Sequence, residues 1–145
     1  MERLIDALIW APSAGNLQSR RFYAVQNPRL KEKIASAALH QDFISNAPLV
    51  FACCADSAIM RHYGNRGTDL YRIQDVAVSV MAMMLVAQEN GIGTCWVGAF
   101  HEEEVARILD LPPNLRPVAL VPAGYPEKVP QPTPRVSREQ AVEFR

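Results

Sequence analysis

The chain has no excess of charge of either sign. Its 145 residues include 15 Lys or Arg and 15 Asp or Glu, so the formal net charge is zero. A protein that binds a nucleic-acid backbone normally carries a basic excess, and we therefore expect no nucleic-acid partner. The balance of charge does not exclude a small anionic cofactor.

Cysteine and histidine are scarce, and neither residue type has the spacing of metal ligands. The chain contains only Cys53, Cys54, Cys95, His40, His62 and His101. An odd number of cysteines without such spacing is typical of free thiols in a reducing cytoplasm. No Ser-His-Asp or Cys-His pairing is visible, so we predict neither a metal site nor a catalytic side chain.

No apolar run is long enough to cross a bilayer. The longest, residues 76–87, is interrupted only by Ser79 and predicts a buried helix. The chain opens with an amphipathic segment that has no small-residue cleavage site. We therefore expect a cytoplasmic protein with neither a leader peptide nor a membrane partner.

Periodicity and turn residues predict an α+β domain in which helices pack on a mixed sheet. Asn27 and Pro28 have the pattern of a helix N-cap and first helical residue. The predicted order is a helix at 4–9, a strand at 21–26, a helix at 28–39, a strand at 49–55, a short helix at 57–63, a loop at 64–68, a helix at 70–90, a strand at 95–99, a helix at 102–109 and a strand at 117–123.

Two features predict contact with a second copy of the chain. The middle of the helix at 70–90 is apolar on all sides, which favours cover by another subunit. Residues 126–145 begin with four prolines in nine positions and cannot build a core of their own. We predict a domain over 1–125 and a proline-rich arm over 126–145. The arm either frays or lies along another surface, for which the partner subunit is our choice.

Two segments join small residues to polar ones at the edge of an apolar run. Residues 11–18 read APSAGNLQ, and residues 91–100 read GIGTCWVGAF. Small residues allow backbone amides to approach a flat ligand closely. From residue types alone, the first segment is better explained as a loop that satisfies its own hydrogen bonds. The second is better explained as a buried strand with a glycine bulge.

Together these segments resemble the FMN-dependent nitroreductase family. Residues 63–75 and 111–126 resemble other parts of its fold, and the resemblance covers about residues 4–138. It implies a homodimer in which two interface sites each hold FMN. The implied contacts to the flavin ring come from Pro12, Ser13, Ala14, Asn16 and Gln18. Backbone amides at the ring edge, around N5 and O4, are implied for Trp96, Val97, Gly98 and Ala99.

The same resemblance implies a reaction. NAD(P)H would reduce the flavin and leave, and a quinone, nitroaromatic or similar small acceptor would then take the electrons in a ping-pong cycle. Because the flavin carries this chemistry, no side chain has to act as a catalytic acid or base.

Some residues depart from the family pattern. An Arg-rich motif that holds the FMN phosphate would precede the first residue, and we expect it to be absent. Ser19-Arg20 replaces the usual Pro-Trp, and Met81-Ala82 replaces Gln-Asn. The resemblance points to Arg135 as the phosphate ligand, with Arg20, Arg21 and Arg138 as weaker candidates. The alternative is a non-enzymatic or weakly flavin-binding dimeric scaffold. Asp75, at the predicted start of the long helix, is most simply a partner of the helix dipole.

Overall fold

A computed structural model describes residues 1–145, and its centre is a four-stranded sheet. The strands are β1 (Arg20–Val25), β2 (Leu49–Asp56), β3 (Gly93–Thr94) and β4 (Leu115–Gly124). Their order is β1-β2-β4-β3, and every pairing is antiparallel. The α+β class is confirmed, but the sheet is antiparallel instead of mixed. The sequence pattern locates strands without setting their direction.

The chain has seven α-helices: α1 (Glu2–Trp10), α2 (Pro28–Ala37), α3 (Phe43–Asn46), α4 (Met60–Arg66), α5 (Arg72–Glu89), α6 (Glu102–Ile108) and α7 (Arg138–Ala141). The N-cap prediction is confirmed, because Asn27 Oδ1 accepts a hydrogen bond from the Leu30 amide at 3.2 Å. The four-residue helices α3 and α7 were not predicted.

The central strand β2 divides the core into two layers. Its odd-numbered residues, such as Phe51, pack with α1 and α5. Its even-numbered residues, such as Val50, pack with α2, α3 and α6. Both faces are therefore covered by helices, which explains the continuous apolar run of this strand. Cys53 and Cys54 are both fully buried, and burial raises the pKa of Cys54 to about 12 and that of Cys53 further. These two thiols are therefore inert core residues.

The predicted loop at 64–68 is wrong. The chain stays helical from Ser57 to α5, passing through α4 and a π-helical turn at Gly67–Tyr71. Gly64 produces only a kink, with φ 54° and ψ −146°. By length and composition the helical segment Ser57–Glu89 could cross a membrane, a property it shares with core helices of folded domains.

One further boundary differs from the prediction. No strand covers residues 95–99: β3 ends at Thr94, and Val97 forms only an isolated bridge with Leu120. The sheet ends at Gly124, and every residue from 125 to 145 is exposed.

Candidate functional site

The first glycine-bearing segment forms a strained loop between α1 and β1. Within it Gly15, Asn16 and Gln18 have φ values of 54°, 57° and 53°. Each non-glycine residue in this region costs about 1 kcal/mol, so the surrounding contacts must maintain the conformation. The Pro12–Gln18 loop therefore has a defined conformation that the rest of the fold stabilises.

Side chains hold this loop from two directions. Ser13 Oγ accepts a hydrogen bond from the Gln18 amide at 3.0 Å. The Ala14 amide donates to Asp75 Oδ1 on α5 at 2.8 Å. The side chain of Asn16 makes no hydrogen bond within the chain and is exposed. It is therefore available to an external ligand.

Arg20 fixes the end of α1 that leads into the loop. Its guanidinium donates to the carbonyls of Ile9, Ala11 and Pro12 at 2.5–3.2 Å. Burial lowers the pKa of Arg20, and the Asp75 carboxylate opposes that shift. Because three carbonyls occupy its donors, Arg20 is not a free phosphate ligand.

An aromatic cluster lies against the loop, and no local pattern of residues predicted it. A Cβ on Gly15 would collide with the Tyr63 hydroxyl, and the positive φ of this residue favours glycine as well. Tyr63 packs edge-on against Tyr71 at 5.3 Å between ring centroids. Arg66 lies over the Tyr71 ring and donates to its hydroxyl at 2.8 Å.

The second segment, Trp96–Ala99, lies along β4 and is hydrogen-bonded to that strand through Val97 alone. The Val97 amide donates to the Leu120 carbonyl at 2.9 Å, and the Leu120 amide donates back at 3.0 Å. The amides of Trp96, Gly98 and Ala99 donate to no group in the chain, and these three residues are exposed. These three free amides form a row of hydrogen-bond donors on either side of Val97, which is itself bonded to β4.

The space around Gly98 is open. A Cβ there would meet only Trp96 Nε1, at an ordinary contact distance of 3.9 Å. Packing within the chain would thus allow a larger residue than glycine at position 98. Free amides beside open space fit a planar ring that has acceptor atoms at its edge, which is the character of FMN.

The structure does not bring the two segments together within one chain. The Pro12–Gln18 loop leads into β1, and the Trp96–Ala99 segment follows β3 at the opposite edge of the sheet. Three strand spacings separate these edges, or about 14 Å. The loop meets α5 near its first turn, whereas Ile92 bonds to its last turn through the Ala87 carbonyl. The 18 residues of α5 span about 27 Å.

The outer face of α5 carries an exposed apolar stripe. Val78, Met81 and Leu85 are 42%, 52% and 59% exposed. The chain itself therefore leaves part of this helix uncovered, and its cover by a second subunit stays a prediction. This face has apolar side chains at helical spacing and no cover from the rest of the chain.

Arg135 lies far along the exposed arm. Its guanidinium donates only to groups of Thr133 and Pro134, which are its immediate neighbours. Within one chain it therefore forms no hydrogen bond with either glycine-bearing segment.

The role of Asp75 differs from the expected one. Because the helix runs continuously from α4 through the π turn into α5, Asp75 does not sit at a free helix N-terminus. Its hydrogen bond goes to the loop instead. No local pattern could predict this contact, since it joins residues 61 positions apart.

Comparison with known proteins gives a consistent result. The sequence model described as Nitroreductase family matches residues 1–41 and 35–125. A relative from Methanothermobacter thermautotrophicus, described as a putative NADH dehydrogenase/NAD(P)H nitroreductase, is 25% identical over 134 residues; the match covers 90% of this chain and 67% of the relative. The FMN reductase [NAD(P)H] of Bacillus subtilis is 26% identical over 153 residues, covering 96% of this chain and 61% of the relative.

A solved structure, that of NfrA2 from B. megaterium, superposes with a TM-score of 0.90 at 25% identity. The match covers 98% of this chain and 63% of that one. The chain thus spans about two thirds or less of the length of these three proteins.

Proposed function

The chain belongs to the nitroreductase family, and from this premise we propose that it is an FMN-dependent oxidoreductase. Its electron donor is NAD(P)H, and its acceptor is a quinone, nitroaromatic or similar small molecule. When bound, FMN supplies a ring that takes up and gives back electrons. The names of the relatives, which include an FMN reductase and a putative NAD(P)H nitroreductase, support this assignment.

The observation that carries the proposal is the row of free amides at Trp96, Gly98 and Ala99 beside the open space at Gly98. Fixed N–H donors orient a flavin ring and stabilise negative charge on it as it is reduced. Val97 holds this row against β4, so the donors keep their positions without help from a ligand.

The other half of the site comes from the Pro12–Gln18 loop of a second copy. In a two-fold homodimer, two α5 helices pack antiparallel through the stripe of Val78, Met81 and Leu85. The first turn of one helix then lies beside the last turn of the other. This arrangement brings the loop of one protomer to the Trp96–Ala99 segment of its partner and forms two equal sites. It also covers the apolar face.

The arm over 126–145 packs on the partner subunit in this proposal. It exposes Val129, Val136, Val142 and Phe144 at 55–95%, which is costly for a free segment. An apolar groove of about 370 Å³ lies between α1 and the unpaired edge of β1, and it offers a surface of matching character. Arg135 would reach the FMN phosphate from the arm in its docked position.

We place the protein in the cytoplasm, where its thiols remain reduced. All three cysteines are free, and Cys95 is exposed next to the row of amides. A reducing compartment keeps such a thiol from forming disulfides between molecules.

The test is the visible spectrum of the purified protein, followed by titration with FMN and an assay of NAD(P)H oxidation. The proposal predicts a yellow protein, or one that becomes yellow with FMN, and turnover that increases with a quinone acceptor. A protein that binds no FMN would contradict it. A protein that binds FMN but oxidises no NAD(P)H at saturating flavin would be a dimeric scaffold instead.

A further inference from the structure

One buried carboxylate connects the central helix to the Pro12–Gln18 loop. Asp75 is 4% exposed, and its Oδ1 accepts the Ala14 amide at 2.8 Å. This bond is the only one that a side chain of α5 makes to the loop. Asp75 is therefore the one side chain of α5 that ties the loop to the helix by a hydrogen bond.

Apart from the Ala14 amide the carboxylate has no hydrogen-bond partner, although its charge acts on the nearby Arg20 guanidinium. Its Oδ2 is buried without any hydrogen bond. The nearby Arg20 does not form an ion pair with it and instead contacts the Asp75 backbone carbonyl at 3.5 Å. A buried carboxylate is costly when it is only partly satisfied. The bond to Ala14 is thus the one specific contact that this side chain makes.

The loop that Asp75 holds is strained, and it carries the proposed flavin contacts. Ala14 opens the short helical turn in which Gly15 and Asn16 have positive φ values. Fixing the first amide of this turn fixes the direction in which the following residues project. A shift of the loop away from α5 would displace Ser13 and Asn16 together.

We propose that Asp75 is a positioning residue, which holds the loop of the flavin site by accepting the Ala14 amide. The expected effect on FMN binding rests on the proposed function, whereas the hydrogen bond between Asp75 and Ala14 does not. Asp75 does not touch the flavin. It acts through the backbone of Ala14.

Two substitutions separate this role from a general effect of burial. Asp75→Asn keeps an acceptor oxygen for the Ala14 amide, whereas Asp75→Ala removes it. We expect Asp75→Ala to weaken FMN binding roughly tenfold and Asp75→Asn to stay within about threefold of the unmodified protein. The matched control is Asp69→Ala, which removes an exposed carboxylate of the same helical segment that contacts only Thr68 Oγ1, and it should leave the affinity unchanged.

A second variant removes the donor instead of the acceptor. Ala14→Pro deletes the amide hydrogen, and proline suits the first residue of a helical turn. Ser13 already has the extended backbone that precedes proline, with φ −148° and ψ 159°. This variant should weaken FMN binding by the same factor as Asp75→Ala. If Asp75→Ala does not fold, Ala14→Pro is measured in its place.

Hydrogen exchange at the Ala14 amide provides a measurement that needs no flavin. Faster exchange in Asp75→Ala but not in Asp75→Asn supports the positioning role even if the protein binds no FMN. If the exchange rates follow this pattern but the protein binds no FMN, the proposed function is refuted and the positioning role of Asp75 is not. Equal FMN affinity in Asp75→Ala and the unmodified protein would overturn the inference. Equal losses of affinity in Asp75→Ala and Asp75→Asn would also overturn it.

Discussion

Val97 and Leu120 exchange both of their backbone hydrogen bonds, at 2.9 and 3.0 Å. This pair holds the Trp96–Ala99 segment against the middle of β4 although the segment is not a regular strand. The residues on either side of Val97 consequently turn their amides away from the sheet. The free donors of the proposed site are therefore a direct result of this one anchored pair.

Gly98→Val tests the space beside these donors. We expect FMN binding to fall below detection, because the new side chain would occupy the volume that the ring needs. The fold and the dimer should survive, since nothing in the chain lies closer than 3.9 Å to an added Cβ. Fluorescence titration with FMN and a thermal melt measure the two effects. Unchanged affinity for FMN would remove Gly98 from the site.

Gly124→Ala should act on stability instead. An added Cβ would lie 2.6 Å from Pro48 Cδ, so the backbone must shift. We expect a loss of about 1–3 kcal/mol in the free energy of unfolding, measured by urea denaturation. Gly98→Ala is the matched control and should lose less than about 1 kcal/mol. Similar losses in the two variants would show that the crowding at Pro48 is absent.

Most secondary structure was predictable because its signals are local. The cap at Asn27, the apolar run of β2 and the long helix α5 each follow from residues next to one another. The continuation of the helix through residues 64–68 was not predictable. Gly64 and Gly67 are loop signals, and only tertiary contacts, such as Tyr63 against Gly15, keep this stretch helical.

The sequence predicted the two segments of the candidate site but not their positions relative to each other in the fold. Motif resemblance identified residues 12–18 and 96–99. The amide role expected of Val97 is wrong, because that amide is bonded to Leu120, and the role of the free amides at Trp96, Gly98 and Ala99 stays a prediction. The places of the two segments at opposite edges of the sheet depend on the strand order, which neighbouring residues do not encode. The bond from Ala14 to Asp75 depends on the same long-range geometry.

Met81→Glu tests the apolar stripe of α5. A charge at the centre of the proposed interface should convert the dimer to a monomer and abolish FMN binding, because each site needs both copies. Analytical ultracentrifugation measures the mass. Phe43→Glu is the control, since Phe43 is 45% exposed on α3, which packs in the opposite core layer. A Met81→Glu dimer would show that subunits associate elsewhere.

Arg135→Ala tests the proposed phosphate ligand. Its removal should weaken FMN binding roughly tenfold while leaving the affinity for riboflavin, which lacks the phosphate, nearly unchanged. Isothermal titration with both ligands gives the comparison. Lys128→Ala is the matched control, since it removes an exposed cation of the same arm, and it should leave both affinities unchanged. Equal losses for FMN and riboflavin would remove Arg135 from the phosphate role.

The most direct test of the shared site is complementation between two inactive variants. Gly98→Val blocks the amide row, and Asn16→Trp blocks the loop, so neither homodimer should bind FMN. After the two are mixed, unfolded and refolded together, about half of the dimers are mixed, and each has one intact site. We predict that about a quarter of all sites regain FMN binding. No recovery in mixed dimers would show that one chain builds the whole site, which contradicts the account.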